Sequence, residues 1–188
     1  GKNSSNDVFI AKYDPSGNEI WYRTAGVSGA TKKDVGTVVT TDYENNVYTA
    51  GTLCFEAAAD TAYFGSHQIV FPIPCYQPTY LAKYASNGTF QWVRYLYSSE
   101  HTEYQAYGSS TITSIACFEN GNIALVGYFT NQLLRFSDGF SPLEKNGGTV
   151  GFRASFLASS NSNGDRLWAK TLHNTTDGGS HVVDLSID

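Results

Sequence analysis

The sequence of 188 residues has no methionine, three cysteines and five prolines, and charged residues make up only 15% of it. No stretch approaches the roughly 20 apolar residues of a membrane-spanning helix, because the longest candidates, such as Ile123 to Phe129, have the length of a strand. The net charge is −5 without a basic cluster, which argues against nucleic-acid binding. We therefore expect a soluble domain, with no membrane insertion. Because the chain starts at Gly1 without a hydrophobic leader, we expect a processed or excerpted segment.

Glycine and aromatic residues are abundant instead, with 18 Gly, 13 Tyr and 11 Phe. This composition favours strands and turns over amphipathic helices. The length suits one domain, or part of a larger one. The sequence therefore predicts an all-β protein.

The three tryptophans, Trp21, Trp92 and Trp168, mark a repeat. Each follows an aromatic residue by 12 positions, namely Phe9, Tyr80 and Phe156, and each has a glycine four positions before it. Asn, Ser and Pro next to that glycine are typical of tight hairpin turns. Each unit is therefore predicted to be strand, turn, strand, and the recurring tryptophans are best explained by packing between units.

A second hairpin follows each of the first two units, and the tryptophans are 71 and 76 residues apart, a long period that favours a propeller. Four strands per period predict β-propeller-type blades of four antiparallel strands, in an incomplete ring or a segment of a larger propeller. We predict an outer half-blade at 1–35, blades at 36–108 and 109–179, and the start of another at 180–188. The predicted strands, from the innermost outward, are Gly36 to Asp42, Val47 to Leu53, Thr79 to Tyr84 and Phe90 to Leu96, then Thr113 to Phe118, Ile123 to Phe129, Phe152 to Ala158 and Arg166 to Leu172, with Val182 to Ile187 opening the next blade.

The run from Asp7 to Trp21 and the segment Glu44 to Gly51 resemble the bacterial β-propeller repeat family called SBBP repeats. Gly127-Tyr128-Phe129, with the later Phe136, is similar to the link between successive copies in that family. The resemblance implies a secreted or surface protein, usually without an assigned reaction, and no catalytic residues to carry over.

Two segments, 52–78 and 97–110, are longer than the compact repeat, and such loops usually carry function. Their non-repeated aromatics, Tyr76, Tyr97, Tyr104 and Tyr107, are the candidate ligand contacts. Stacking on sugar rings is the interaction that such residues would provide.

Cys54 and Cys75 flank the first long segment and are predicted to form a disulfide in an oxidising compartment, with two reduced thiols as the alternative. Cys117 is predicted to be a buried apolar residue. Asn3, Asn87 and Asn174 head glycosylation sequons, which matter only in a secreting eukaryotic source.

The catalytic motifs for nucleophilic elbows, P-loops and zinc proteases are absent, and the histidines are scattered, so neither enzyme activity, metal nor cofactor is expected. The leading hypothesis is a non-enzymatic extracellular or cell-surface structural or adhesive protein, a segment of a filament or large ectodomain. Its expected partners are further blades of the same chain or neighbouring subunits. The alternative is a carbohydrate-binding or accessory propeller of a secreted glycan-processing enzyme, with glycans as ligands.

Overall fold

A computed structural model describes residues 7–27, 33–55, 61–70, 77–99, 108–145, 152–172, 182 and 184–186. Fourteen strands cover most of this part of the chain, and it contains no helix. The strands are β1 (Val8–Tyr13), β2 (Glu19–Val27), β3 (Val35–Thr41), β4 (Val47–Thr52), β5 (Thr61–Phe64), β6 (His67–Val70), β7 (Thr79–Tyr84), β8 (Phe90–Ser99), β9 (Ser110–Cys117), β10 (Ile123–Phe129), β11 (Leu133–Phe136), β12 (Leu143–Glu144), β13 (Ala154–Ser160) and β14 (Arg166–Thr171). No helix long and apolar enough to cross a bilayer occurs in these ranges. The predicted all-β class is confirmed.

The strands form three antiparallel sheets, which we call the first, second and third blades. The first has the order β1-β2-β5-β6, the second β3-β4-β7-β8-β11-β12, and the third β9-β10-β13-β14. The predicted four-strand blades β3-β4-β7-β8 and β9-β10-β13-β14 are both confirmed, in the predicted order from the inner strand outward. The chain is therefore a propeller-type segment.

Two hairpins were not predicted. β5 and β6 lie within segment 52–78, which was expected to be a long loop, and they extend the first blade because β5 pairs with β2. β11 and β12 come between two strands of the third blade, yet β11 pairs with β8 at the outer edge of the second. Each hairpin thus leaves its own blade between the second and third strands and widens the preceding one.

The turns that join the paired outer strands share one geometry. In the β1–β2 turn, Asp14 N donates to Asn18 O and Gly17 N donates to Asp14 O, at 2.9 and 3.0 Å. The same two bonds recur in the β7–β8 and β13–β14 turns. Gly17, Gly88 and Gly164 have φ angles of 80° to 84°, a left-handed backbone that glycine adopts without strain. The repeated glycine of the sequence is therefore a turn requirement.

Two apolar cores lie between the blades, and alternation along β7 serves both. Tyr80, Ala82 and Tyr84 pack towards the first blade with Trp21 and Ile10, whereas Leu81 packs towards the third blade. Successive strand side chains point to opposite faces, so one central strand supplies both interfaces. Both faces of the second blade are therefore covered.

Each of the two inner strands, β3 and β9, donates one threonine hydrogen bond to the inner segment that follows it. Thr37 Oγ1 donates to Ile112 O at 2.9 Å, and Thr113 Oγ1 donates to Val182 O at 2.8 Å. Residues 182 and 184–186 are not part of a strand, although Val182 to Ile187 was predicted to form one. Val182 nevertheless lies beside β9 as Ile112 lies beside β3, because the carbonyl of each accepts a threonine hydrogen bond from that strand.

Candidate functional site

The contact between the first and second blades is built from a tryptophan, a lysine and an arginine. Trp21 Nε1 and Lys12 Nζ both donate to Ser86 O at 3.1 Å, in the β7–β8 turn. Arg23 Nε donates to Gly88 O at 2.7 Å. Lys12 is the cross-strand partner of Trp21, so pairing of β1 with β2 places both side chains on one face.

The second and third blades repeat this arrangement. Trp92 Nε1 and Lys83 Nζ donate to Ser162 O at 3.0 and 3.3 Å. Arg94 Nη2 donates to Asn163 O at 2.9 Å and to Asp165 Oδ1 at 3.2 Å. We call this set of Trp, Lys and Arg with the facing turn the blade clamp.

The clamp explains why the facing turn carries glycine. A Cβ on Gly88 would lie 2.8 Å from the Trp21 ring, and one on Gly164 would lie 3.0 Å from the Trp92 ring. The arginines stay over the same rings, with Arg23 Cζ 5.5 Å from the Trp21 centroid and Arg94 Cζ 5.6 Å from that of Trp92. Each indole is thus enclosed by a turn and a guanidinium.

The third copy has a clamp without a described partner. Lys170 Nζ is 5.8 Å from the Trp168 centroid, in the place that arginine takes in the other copies, and Ser159 is the cross-strand partner of Trp168 in place of lysine. Trp168 is 43% exposed, whereas Trp21 is 6% exposed. We call Trp168 and Lys170 the indole face.

The first blade exposes the complementary half. A Cβ on Gly17 would have no heavy atom within 4 Å, so the described chain leaves open space at this turn. Phe9 and Tyr13 are 60% and 53% exposed, and Phe9 stacks on Tyr22 with centroids 5.8 Å apart. We call this turn with Phe9, Tyr13 and Tyr22 the turn face.

The aromatic residues of the turn face are exposed, whereas their counterparts in the next copy of the repeat are buried. Tyr80 and Tyr84, at the repeat positions of Phe9 and Tyr13, are fully buried by the first blade. Phe9, Tyr13 and Tyr22 therefore form an exposed aromatic surface on the described part of the chain.

A cleft of about 280 Å³ opens at the seam between the second and third blades, lined by Asp42, Glu44, Lys83, Glu119 and Ser162 among others. The ammonium of Lys83 lies 3.7 Å from Asp42 Oδ2 and 4.9 Å from the Tyr48 ring centroid. Burial raises the pKa of the nearby Cys117 thiol to about 11, with the charge of Asp42 acting in the same direction. Lys83 therefore belongs to a blade clamp and neutralises a buried carboxylate, and Cys117 is buried as predicted.

Most of the predicted ligand contacts, Tyr76, Tyr104 and Tyr107, lie outside the described residues. Tyr97 is on β8, half-buried, stacked on Tyr95 with centroids 6.5 Å apart and packed against the core between the first two blades. Its surroundings are those of a packing residue. In the described ranges, no group of three His, Cys, Asp or Glu side chains is placed to hold a metal.

The predicted disulfide is not supported. Cys54 is a buried free thiol that accepts a hydrogen bond from Gln77 Nε2 at 3.5 Å, and Cys75 lies outside the described residues. Leu53, Cys54 and Phe55 are buried beside the first core, so packing supplies the local order for which a bridge was invoked.

Of the sequons, Asn87 is exposed at the tip of the β7–β8 turn, where its Oδ1 accepts from Thr89 N. Asn3 and Asn174 lie outside the described residues.

Sequence reasoning identified the tryptophans but missed the cations of the clamp. The signal was present in the first two copies, where lysine follows the leading aromatic by three positions and arginine follows tryptophan by two. The third copy, with Ser159 and Lys170, obscures this pattern.

Repeated antiparallel blades joined by equivalent contacts define a β-propeller-type repeat protein. No family model matches the chain, so the narrower SBBP assignment stays a prediction. An uncharacterized WD repeat-containing protein of Acanthamoeba polyphaga mimivirus is 28% identical over 176 residues, which cover 89% of this chain and 12% of that protein. That relative agrees with the propeller-type repeat, and this chain spans about an eighth of its length.

Proposed function

We propose that the chain is a non-enzymatic structural repeat protein of the cell exterior, a segment of a filament or large ectodomain in which blades form the scaffold. The observation that carries the proposal is the blade clamp. The residues that recur between copies, Trp with Lys and Arg, are engaged in holding one blade to the next. A scaffold of repeated blades requires such a recurring contact between each blade and the next.

The carboxylates support a structural role. Asp34 is buried and accepts from Val27 N and Cys54 N, both at 2.8 Å. Asp42 closes the β3–β4 turn by accepting from Glu44 N and Asn46 N. Carboxylates that already accept two backbone N–H groups are poor candidates for a general base, which needs an accessible proton acceptor.

Placement outside the cell rests on the resemblance to secreted or surface repeat proteins. The exposed sequon at Asn87 would carry a glycan only in a secreting eukaryotic source. A glycan there would project from the turn tip, since Asn87 is exposed while its neighbour Gly88 is buried against Trp21. The adhesive part of the proposal assigns contact to the long insertions, segments 52–78 and 97–110.

One observation favours a second candidate, carbohydrate binding. Phe9, Tyr13 and Tyr22 form an exposed aromatic surface, and aromatic faces pack well against sugar rings. This surface differs from the loop aromatics chosen from the sequence.

Surface labelling and a glycan array test the two functions together. Antibodies against the chain should label intact source cells or particles without permeabilisation, and labelling only after permeabilisation would reject the extracellular role. An array probed with the chain should give no selective signal if the protein is only structural. Selective binding that is lost in Tyr22→Ala but kept in the matched variant Tyr43→Ala, whose side chain is 69% exposed in the β3–β4 turn, would favour the carbohydrate function.

A further inference from the structure

Asparagine directly precedes glycine in three turns of the described chain. These pairs are Asn87-Gly88 between β7 and β8, Asn120-Gly121 between β9 and β10, and Asn163-Gly164 between β13 and β14. All three asparagines are exposed. Glycine has no side chain to shield its backbone nitrogen from the amide carbon of the preceding asparagine, so this dipeptide is chemically labile. A fourth pair, at 146 and 147, lies outside the described residues.

The reaction open to such a pair is deamidation, in which water is the co-reactant. The glycine nitrogen gives its proton to water or hydroxide and forms a bond to Cγ of the asparagine. The bond from Cγ to Nδ2 then breaks, and the side-chain nitrogen takes a proton from the solvent and leaves as ammonia. Water opens the resulting succinimide at one of its two carbonyl carbons, which gives aspartate or isoaspartate. The attack requires that the glycine nitrogen be released from its own hydrogen bond and turned towards Cγ.

The turns at Asn87 and Asn120 have the same local geometry. Oδ1 of each asparagine accepts from the backbone nitrogen two positions later, at 3.0 Å in both turns. The N–H of each following glycine donates to the carbonyl three positions earlier, at 2.8 Å for Gly88 and 3.0 Å for Gly121. Both glycines have a φ angle of 80°. The two pairs therefore have the same arrangement for reaction within the turn itself.

The surroundings of the two glycines differ. Gly88 is buried in a blade clamp, where its carbonyl accepts from Arg23 Nε at 2.7 Å and a Cβ would lie 2.8 Å from the Trp21 ring. A Cβ on Gly121 would have as its nearest atom Ser162 Cβ, at 3.5 Å. The nitrogen of Gly88 therefore turns only when the clamp opens, whereas that of Gly121 needs only the opening of its own turn.

The pair Asn163-Gly164 is held at both ends of its reacting peptide group. Asn163 O accepts from Arg94 Nη2 at 2.9 Å, and Gly164 N donates to Asn161 O at 2.9 Å. Gly164 is buried, and a Cβ on it would lie 3.0 Å from the Trp92 ring. This peptide group cannot rotate while the second and third blades stay clamped.

We infer that Asn87 and Asn163 are deamidation sites that react only while their blade clamp is open, so that each clamp controls a covalent modification of its own turn. Isoaspartate adds a methylene group to the main chain of the turn. The carbonyls of Ser86 and Ser162, which accept from the tryptophans of the clamps, then no longer match the facing blade. An opening that leads to this product is therefore irreversible. Asn120 lies outside the clamps and is the internal reference.

Site-resolved rates of deamidation test the inference. The folded chain is incubated in mildly alkaline buffer, and peptide mapping by mass spectrometry, with chromatographic separation of aspartate and isoaspartate peptides, gives one rate for each site. In the folded wild type, Asn87 and Asn163 should each react at least about tenfold more slowly than Asn120. In concentrated urea the three rates should converge, because no clamp remains.

Variants of the two tryptophans give a crossed test. Trp21→Ala should raise the rate at Asn87 at least about tenfold and leave the rate at Asn163 unchanged, whereas Trp92→Ala should do the reverse. The rate at Asn120 should stay the same in both variants. Circular dichroism shows whether each variant is folded.

Arg23→Ala and Arg94→Ala are milder variants that keep both indoles and remove one clamp bond each. They should give the same crossed pattern, and they decide the matter if a tryptophan variant unfolds and speeds all three sites. Equal rates at the three sites in the folded wild type would overturn the inference. A folded clamp variant that speeds Asn87 and Asn163 equally would also overturn it, since the reaction would then not depend on the local clamp.

Discussion

At the residue scale, two glycines of the inner hairpins determine how closely the aromatic residues pack. A Cβ on Gly127 would lie 2.0 Å from Thr111 O and 2.8 Å from Phe156 Cε1, and a Cβ on Gly51 would meet Val35 O and Tyr80 in the same way. Each glycine pairs across the sheet with the aromatic residue concerned. Backbone atoms cannot move aside as a flexible side chain can.

We predict that Gly127→Ala lowers the free energy of unfolding by about 3 kcal/mol, since the strand must shift to admit the methyl group. Urea denaturation measures this. The control is Gly36→Ala, where the nearest atom to the new Cβ is Val8 Cγ1 at 3.3 Å. It should change stability by less than about 1 kcal/mol, and a similar loss for both variants would contradict the close approach.

Asp34 gives the fold a pH dependence. Desolvation raises the pKa of this carboxyl, its hydrogen bonds from Cys54 N and Val27 N oppose the rise, and the nearby charge of Asp7 adds to it. A raised folded pKa means that the folded state binds the proton more tightly than the unfolded chain does. The contribution of Asp34 to stability is therefore largest below the ordinary pKa of 3.8 and falls as pH rises through the folded pKa.

We predict that the unfolding free energy of the wild type, minus that of Asp34→Asn, is larger near pH 4 than at pH 7. Asn cannot titrate, so the difference isolates Asp34. Paired urea titrations across this range measure it. A difference that grows with pH would show that the hydrogen bonds outweigh the desolvation.

At the element scale, the β11–β12 hairpin ties the second blade to the third. Asp138, in the turn of this hairpin, accepts from Arg166 Nε of β14 at 2.8 Å, and both side chains are largely removed from solvent, at 12% and 9% exposure. Arg166 Cζ also lies 4.3 Å from the Phe136 ring centroid, and Thr171 Oγ1 donates to Glu144 O. The hairpin is thus paired to one blade and bonded to the next.

We predict that Asp138→Asn destabilises the chain by about 3 kcal/mol, because the largely desolvated guanidinium of Arg166 is left without its anion. Asp165→Asn at the exposed Arg94 pair should cost clearly less, since water solvates both groups there. Urea denaturation of both variants compares them directly. Equal losses would mean that burial adds nothing to the Asp138 pair.

The sequence predicted the blades better than these hairpins, for a physical reason. The Trp and turn-glycine pattern specifies pairing between neighbouring strands, such as β7 with β8, which local turns decide. Gly65 and Gly139, both with positive φ, mark the hairpin turns. The pairing of β11 with β8 depends on packing between blades, and a local sequence pattern cannot predict such packing. The blade clamp could not be predicted for the same reason, since the residues that it joins, Trp21 and Ser86, are 65 positions apart in the sequence.

At the scale of the whole molecule, the blades form a row in which each contacts its neighbours, so stability is shared between blades and interfaces. We predict that Trp92→Ala costs about 2 kcal/mol and broadens the unfolding transition, because it weakens the interface between the second and third blades. Calorimetry of dilute protein measures both effects. Trp168→Ala is the matched control at the repeat position, and it should cost less than about 1 kcal/mol with an unchanged width. An equal effect of the two would contradict the nearest-neighbour description.

The hairpins that widen the preceding blade also order events during synthesis. The outer edge of the second blade ends at Ser99, but the strands that cover it run to Glu144, 45 residues later. The ribosome must therefore make half of the next blade before the previous one is complete, and until then the outer edge of β8 has no strand paired with it. Folding advances from the N-terminus one blade behind translation, and a nascent chain stalled between Ser99 and Leu133 presents an unpaired strand to any chaperone or neighbouring chain that it meets.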